Sequence, residues 1–496
     1  MKKKLSILFT VLTLIVSLFS GLVVRAEESA SSEDAVSGAS VGEYTDPSTL
    51  AESYDIVIIG AGGGGLAAAI AAKDAGANVA IFEKMPVAGG NTMKSSAGMN
   101  ASETKFQKEQ GIEDKNDDFF AETLKGGKET NDQELLRFFV DNSAAAIEWL
   151  DSLGIRLNNL TTTGGMSVQR THRPEDGSAV GGYLVEGLVR NVTERNIPLF
   201  TNANVVEILQ NEGAASGVKV EIGGETKEVQ AKAVIIATGG FGANLSMVSE
   251  LKPELDGFVT TNQEGSTGDG IKMAQALGAE VVDLDKIQIH PTVEQESAYL
   301  ITEAVRGEGA ILVSQEGKRF FNELETRDKV SAAIIELPEH YAYVIADDAL
   351  KGRVKAVNKY EEKGLVVKAD TIEELAAALE VPAENLTATL EAWNASVEAK
   401  EDAEFGRTTG MDNALTTAPY YAIKIAPGVH HTMGGLKINT NAQVLNADGE
   451  PIKGLYASGE VTGGIHGSNR IGGNAVADII IFGRQAGMQS AEAVKE

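Results

Sequence analysis

Between Ile56 and Ile59 the stretch YDIVIIG carries no polar side chain, and it ends on Gly60. An unbroken apolar run, rather than an alternating one, predicts a strand covered on both faces of a parallel sheet. GLAAAIAAKDAG follows and predicts a helix, and NVAIFEK predicts a second strand ending at Glu83. Strand, helix and strand in that order predict a βαβ unit. Two further apolar runs lead into glycines much later, KAVIIATGGFG at 232–242 and GLYASGEVTGG at 454–464, and GGNAVADIIIFGRQAGMQSAEAVK predicts a closing helix. Runs of this kind, far apart in sequence, predict one sheet assembled around a long insertion. The insertion, 282–430, contains the helical patterns TIEELAAAL and PAENLTATLEAWNASVEAK. The expected fold class is α/β: a first domain in two parts, residues 51–281 and 431–496, and an inserted α+β domain at 282–430. A length of 496 residues agrees with more than one core.

MKKK, then LSILFTVLTLIVSLFSGLVV, then VRA has the charged, apolar and small-residue order of a secretory signal, with Ala26 the expected last residue removed. The apolar stretch, about 20 residues, is also long enough to remain as an anchor. Both readings of residues 1–26 place the folded part outside the cytoplasmic membrane, secreted or at the cell surface, with membrane contact only through this segment. Residues 27–50 are small and acidic without apolar periodicity and predict a flexible linker. The 43 basic and 71 acidic residues leave a net charge of −28, which argues against nucleic acid as a partner. The chain has no cysteine, which excludes disulfides, thiolate clusters, thioether-linked haem and cysteine zinc sites.

GAGGGG at 60–65 satisfies G-x-G-x-x-G through Gly60, Gly62 and Gly65. In so glycine-rich a chain the motif alone says little, but here it follows a strand, opens a helix and precedes Glu83. Gly60 allows the tight turn, Gly62 lets the backbone approach a pyrophosphate, and Gly65 lets helix pack on strand. The helix N-terminus meets the diphosphate, and Glu83 accepts hydrogen bonds from a ribose.

TEAVRGEGAILVSQEGKRFFNELETRDKV, residues 302–330, sets Arg306, Arg319 and Arg327 among acidic residues. Arginines in a mixed-charge helix mostly form surface pairs of little energetic value. Arg319 in EGKRF reads most simply as a turn residue, and His340 reads as exposed. The adjacent His430 and His431 read as structural on their own, and six histidines give no zinc spacing, so no metal is expected.

Long ordered segments nevertheless carry a family pattern: GGNTMKSSAGMNAS, TTNQEGSTGDGIKMA, IQIHPT, TEAVRGEGA, TRDKVSAAI, GVHHTMGGL and GEVTGGIHGSNRIGGNA. Over residues 52–492 the chain resembles the flavoprotein part of soluble flavocytochrome c fumarate reductases, within the wider fumarate reductase and succinate dehydrogenase flavoprotein group. The resemblance implies a Rossmann-like FAD-binding domain with an inserted capping domain. Beyond Gly60, Gly62, Gly65 and Glu83, it extends the FAD site over Gly64, Lys84, Gly90, Asn91, Thr92, Ser96, Ala97, Gly98, Val205, Ala237, Thr238, Gly239, Asp269, His431, Glu460, Ala475 and Val476. Asn91 stands where membrane-complex relatives carry a histidine joined covalently to FAD, so FAD is expected to bind non-covalently. His290 and Thr302, with Glu303 beside them, match residues that hold one carboxylate of a dicarboxylate. His430, Arg470 and Arg327 match those at the other end, and Gly473 matches a backbone contact. The resemblance assigns proton donation to Arg327, resupplied through Glu303 and Arg306. Read from side-chain chemistry alone, a histidine or glutamate is the more ordinary acid, because arginine normally stays protonated. Thr432, Glu460 and Thr462 match a family site for a monovalent cation.

The implied reaction is reduction of fumarate to succinate. Urocanate, methacrylate or an arylacrylate as substrate, an oxidase run in the opposite direction, and a non-catalytic flavin-binding protein are the competing readings. Leu300 and the TTTGGM loop at 161–166 are positioned by the pattern to reshape one end of the site. Named family members carry haem modules that this chain lacks, so an extracytoplasmic flavoprotein or a quinol-linked partner is expected to supply electrons.

Overall fold

The computed structural model describes residues 44–495. The expected signal or anchor at 1–26, and the linker as far as residue 43, lie outside them. Residues 44–50, assigned to the linker by composition, instead lie against the body. The Thr45 amide donates to the Leu199 carbonyl at 2.8 Å, the Ala88 amide donates to the Tyr44 hydroxyl at 3.0 Å, and Pro47–Thr49 forms a 3-10 turn capped by Asp46. Polar composition had hidden this, because the segment is held by backbone pairing rather than by an apolar face.

The main sheet has eight strands. Strand β1 (Ser53–Ile59) leads into helix α1 (Gly63–Asp74) and strand β2 (Val79–Phe82), and strand β3 (Glu225–Ile236) arrives much later. β1 lies between β2 and β3 and is parallel to both. Ile56, Val57 and Ile58 are fully buried, as a strand covered on both faces requires. Gly60 ends β1 at φ +104°, and a Cβ on it would sit 2.4 Å from the Ala237 carbonyl oxygen. A Cβ on Gly65 would sit 2.0 Å from the Gly60 carbonyl oxygen, so α1 packs on its own strand only because that side chain is missing.

The second sheet has five strands and is antiparallel. Strand β4 (Ile287–Val293) precedes the short helix α2 (Glu303–Gly307) and helix α3 (Arg327–Ile335). Strand β5 (Tyr420–Thr432) pairs along its first half with Ala342–Asp347 and along its second half with β4. Its thirteen residues run through the domain boundary expected at 430/431. Ile301 through Ile425 contribute a core of their own beneath this sheet, centred on side chains such as Ile345, Leu375, Trp393 and Tyr421. The closing strand β6 (Pro451–Ala457) returns to the main sheet parallel to β3, and helix α4 (Asn474–Ala493) lies on α1. A Cβ on Gly487 would meet the Ala68 carbonyl oxygen at 2.3 Å, so small residues on both helices set their close approach. Among the described residues no helix is long and apolar enough to cross a membrane.

Arg319 departs from the expectation of a turn residue. It is buried, donating to both Glu323 oxygens at 2.8 and 2.9 Å and to Asp402 at 3.2 and 2.9 Å. Arg407 completes the group by donating to Glu323 at 3.1 Å. Two guanidiniums and two carboxylates thus neutralise one another inside the inserted core. The partner that buries Arg319 comes from 83 residues away, which no local pattern reveals. His340 is exposed.

Candidate active site

A cavity lies at the carboxyl ends of the main-sheet strands, where open α/β sheets bind ligands. Gly60, Gly62 and Gly64 line it, together with Glu83, Lys84, Val205, Gly90, Asn91, Thr92 and Glu460. Ala237, Thr238, Gly239 and Asp269 complete the predicted set on its wall. Glu83 is aimed by two backbone amides, those of Ala61 at 2.8 Å and Met85 at 2.9 Å, and burial pushes its carboxyl up. Lys84 pairs with Asp269 at 2.6 Å. Gly65 lies behind the cavity. Ser96, Ala97 and Gly98 also stand off it: the Ser96 and Ala97 carbonyls accept from Arg173 and Val180, and Gly98 packs on His172. His431 does not line the cavity but reaches Glu460, which does. Ala475 and Val476 sit in the first turn of α4, likewise away from it.

The cavity suits FAD on its own features. The Ser458 hydroxyl is a buried wall atom without a hydrogen-bond partner. A Cβ on Gly62 would meet nothing nearer than Thr92 Oγ1 at 4.0 Å, so the backbone at the α1 N-terminus is open to an approaching diphosphate. Ser458, Gln263 and Ser266 were not picked out from the sequence, although their segments were; only the fold shows which residues of each loop face inward. Asn91 donates to Asn262 at 2.5 Å and accepts from the Gln263 amide at 2.8 Å, and it offers no nucleophilic imidazole.

At the edge of the second sheet, residues from five separate segments converge. Arg327, first residue of α3, donates from Nε to Glu303 Oε1 at 2.6 Å and from Nη1 to Gln288 Oε1 at 3.2 Å. Arg470 donates to the same Gln288 oxygen at 3.0 Å. Arg306 Nη2 lies 3.8 Å from Glu303 Oε1, and His290 Nε2 lies 3.9 Å from it. The His290 and His430 rings meet edge to face, their centroids 5.3 Å apart. Thr302 caps α2, its hydroxyl accepting from the Ala304 amide, and so sets Glu303 at the helix start. Gly473, at φ +86°, caps α4, and a Cβ on its neighbour Gly472 would approach Arg327 and Glu303 at 3.5 and 3.6 Å.

Gln288 is the residue that sequence reasoning missed here. It lies two positions before His290 in β4, on the same face of a strand, and that spacing was the available signal. The His-His pair is split by a bulge: Gln288 pairs with His431 and Ile289 with Val429, leaving His430 as the extra residue on β5. A bulge re-aims the side chain. His430 turns towards His290, while His431 faces His466 and Glu460.

Burial opposes ionisation of Glu303, but Arg327 and then Arg306 override it and hold the carboxyl at about 2. Burial, followed by repulsion from Arg327, holds His290 and His430 well below the usual histidine range, so both are neutral. The same two causes lower Arg470 to about 9. Arg306 Nε and Nη2 and Arg470 Nε are buried without hydrogen-bond partners. Two guanidiniums thus pair with Glu303 and a third lies beside them, nearer in effect to Glu460, with donors to spare. Of the expected cation site, the Thr432 amide and hydroxyl both reach Glu460, whereas the Thr462 hydroxyl donates to the Gly459 carbonyl. Among the described residues no group of three or more histidines or carboxylates is arranged to hold a metal ion.

The fold and cavity define an FAD-binding flavoprotein of the α/β class. Residues 55–476 match the model of the FAD binding domain family. The chain is 58% identical over 442 residues to NADH:fumarate oxidoreductase of Klebsiella pneumoniae, covering 89% of this chain and 48% of that protein, so it spans about half the length of that relative. It is 37% identical over 460 residues to urocanate reductase of Eggerthella lenta, covering 90% of this chain and 76% of that one. Among solved structures, the open conformation of a flavocytochrome c3 fumarate reductase superposes with a TM-score of 0.79 at 40% identity, over 93% of this chain and 84% of that one. The chain belongs to the fumarate reductase-type family of FAD-binding flavoproteins.

Proposed function

We propose that the protein reduces fumarate to succinate. The observation that carries this is the donor set of the cleft: Arg306 and Arg327 pair with Glu303, and Arg470 shares the Gln288 oxygen with Arg327. Guanidinium nitrogens are left over, an excess of positive donors beside neutral imidazoles. A substrate with two carboxylates neutralises that excess and satisfies the unpartnered guanidinium nitrogens. A monocarboxylate such as urocanate or acrylate leaves more of these guanidinium donors unpaired.

Bound FAD supplies the hydride received by one alkene carbon. His290, His430, Arg470 and the capped start of α2 hold the two carboxylates and draw electron density towards one of them. Arg327 holds the proton for the neighbouring carbon at its guanidinium. Glu303, 2.6 Å away, returns a proton to it, and Arg306 lies next in line. At rest Glu303 binds protons poorly because Arg327 is positive beside it. Once Arg327 has given up its proton that attraction disappears, and the carboxylate becomes a better proton carrier at the moment one is needed. About a third of the Glu303 side chain is exposed, so the relay has access to water.

An anaerobic assay following oxidation of reduced viologen, with fumarate, urocanate and methacrylate as acceptors, tests this reading. Fumarate should give the highest kcat/KM, and a tenfold preference for urocanate would overturn it. Export and an extracytoplasmic electron donor belong to the same proposal and rest on residues 1–26. Fractionation of expressing cells that leaves the protein wholly in the cytoplasm would refute export.

A further inference from the structure

We infer that Thr261 is a positioning residue that fixes the tautomer of His430, so that both imidazoles of the cleft present an Nε2–H donor to a carboxylate. The inference rests on the dicarboxylate reading above.

His290 shows how such a tautomer is set. The backbone amide of Thr292 donates to His290 Nδ1 at 3.3 Å, and the Thr292 hydroxyl donates to the Ile301 carbonyl at 2.7 Å. A backbone amide only donates, so Nδ1 holds a lone pair and the ring proton sits on Nε2, which faces Glu303 at 3.9 Å.

His430 has no backbone amide in that role, because it is the bulged residue of β5. Its Nδ1 instead meets Thr261 Oγ1 at 2.7 Å. A hydroxyl can donate or accept, so its other partner decides. The alternative acceptor for the Thr261 hydroxyl is the Val429 carbonyl at 3.3 Å, which already accepts the Thr261 amide at 2.9 Å. The 2.7 Å contact suits either tautomer, but at 3.3 Å the already occupied Val429 carbonyl is the weaker acceptor. Only donation to Nδ1 leaves the ring proton on Nε2, where a substrate carboxylate can accept it. Thr261 therefore donates to Nδ1, and His430 carries its single proton on Nε2, across the ring from Thr261.

The backbone at Thr261 is itself anchored: Lys94 Nζ donates to the Thr261 and Asn262 carbonyls, each at 3.2 Å. In the opposite tautomer His430 would turn a lone pair towards a carboxylate, replacing an attraction by a repulsion. Thr261 thus makes the cleft a set of donors broken only by Glu303 and the bridging Gln288 oxygen.

The test uses the FAD-loaded protein with 15N-labelled histidine, whose six residues give a sparse spectrum. His430 is expected as the Nε2–H tautomer in the wild type and in Thr261→Ser, and as a mixture in the near-isosteric Thr261→Val. The KM for fumarate should rise about tenfold in Thr261→Val with kcat within threefold, and return to within twofold of wild type in Thr261→Ser. An Nδ1–H tautomer in the wild-type protein overturns the inference without any variant. Wild-type tautomer and KM in Thr261→Val overturn it equally. If the wild type fails to turn over fumarate, the dicarboxylate reading falls, while the tautomer measurement still decides the role of Thr261.

Discussion

Replacing Glu303 by Gln keeps the shape of the side chain and an oxygen for Arg327 to donate to, but removes the carboxylate that pairs with both Arg327 and Arg306. The gross attractions removed are large: at an effective dielectric of 20, contacts at 2.6 and 3.8 Å correspond to about 6 and about 4 kcal/mol. Partial exposure of Glu303 screens both, so the net effect is far smaller. The two consequences for activity have opposite signs. Freed from Glu303, Arg327 and Arg306 attract substrate carboxylates more strongly, so the KM for fumarate should stay level or fall. The amide cannot return a proton to Arg327, so kcat should fall about 100- to 10,000-fold, the usual contribution of a positioned proton-transfer group. FAD content, measured by absorbance after release, should be unchanged, because Glu303 does not line the FAD cavity. Steady-state viologen oxidation gives both parameters. A kcat within threefold of wild type would remove Glu303 from proton delivery, and a tenfold rise in KM would contradict the charge argument for substrate binding.

Arg470, held at about 9, should lose its charge in alkaline solution. Its folded value lies below the ordinary arginine range, so binding is intact at lower pH and weakens as pH rises through 9. A plot of KM against pH should climb towards tenfold per unit above 9, and a flat profile to pH 10 would count against Arg470 as a carboxylate ligand. Non-covalent FAD predicts a colourless pellet and a yellow supernatant after acid precipitation; flavin retained in the pellet would show a covalent bond. Arg407→Met leaves Glu323 buried with one fewer cation and should destabilise the fold by about 3–5 kcal/mol. Lys219→Met, which removes an exposed pair with Glu207, should leave the stability close to wild type. Thermal unfolding of the two variants side by side checks the contrast, and equal Tm values would refute it.

The parallel core was legible because Ile56 to Ile59 and Val234 to Ile236 are buried on both faces, and such strands announce themselves as unbroken apolar runs. Both predicted helices of the insertion appear, at Ile372–Leu379 and Ala383–Ala399. The glycine turn after β1 was legible for a related reason, since no other residue type fits there. The gathering of His290, Arg327, His430 and Arg470 in one place was legible only through the family pattern, since each looks ordinary in its local sequence. What stayed hidden depends on contacts across long separations. Arg319 needs Asp402, Gln288 needs both Arg327 and Arg470, and the bulge at His430 is a property of pairing with β4. Thr261 escaped notice because a threonine in a loop carries no signal until a ring nitrogen is found beside its hydroxyl.

The continuity of β5 has a mechanical consequence. One end of this strand is pinned between neighbours in the inserted core, and the other carries His430 and ends where the Thr432 amide meets Glu460 of the flavin-binding part. Glu303, Arg306 and Arg327 travel with the inserted core, whereas Arg470 and Gly472 belong to the segment leading into α4. Sliding one body against the other stretches the bridge in which Arg327 and Arg470 share a single amide oxygen. On the proposed mechanism, Arg327 and the carboxylate-holding Arg470 are then parted together, so the proposed reactive arrangement needs that bridge intact.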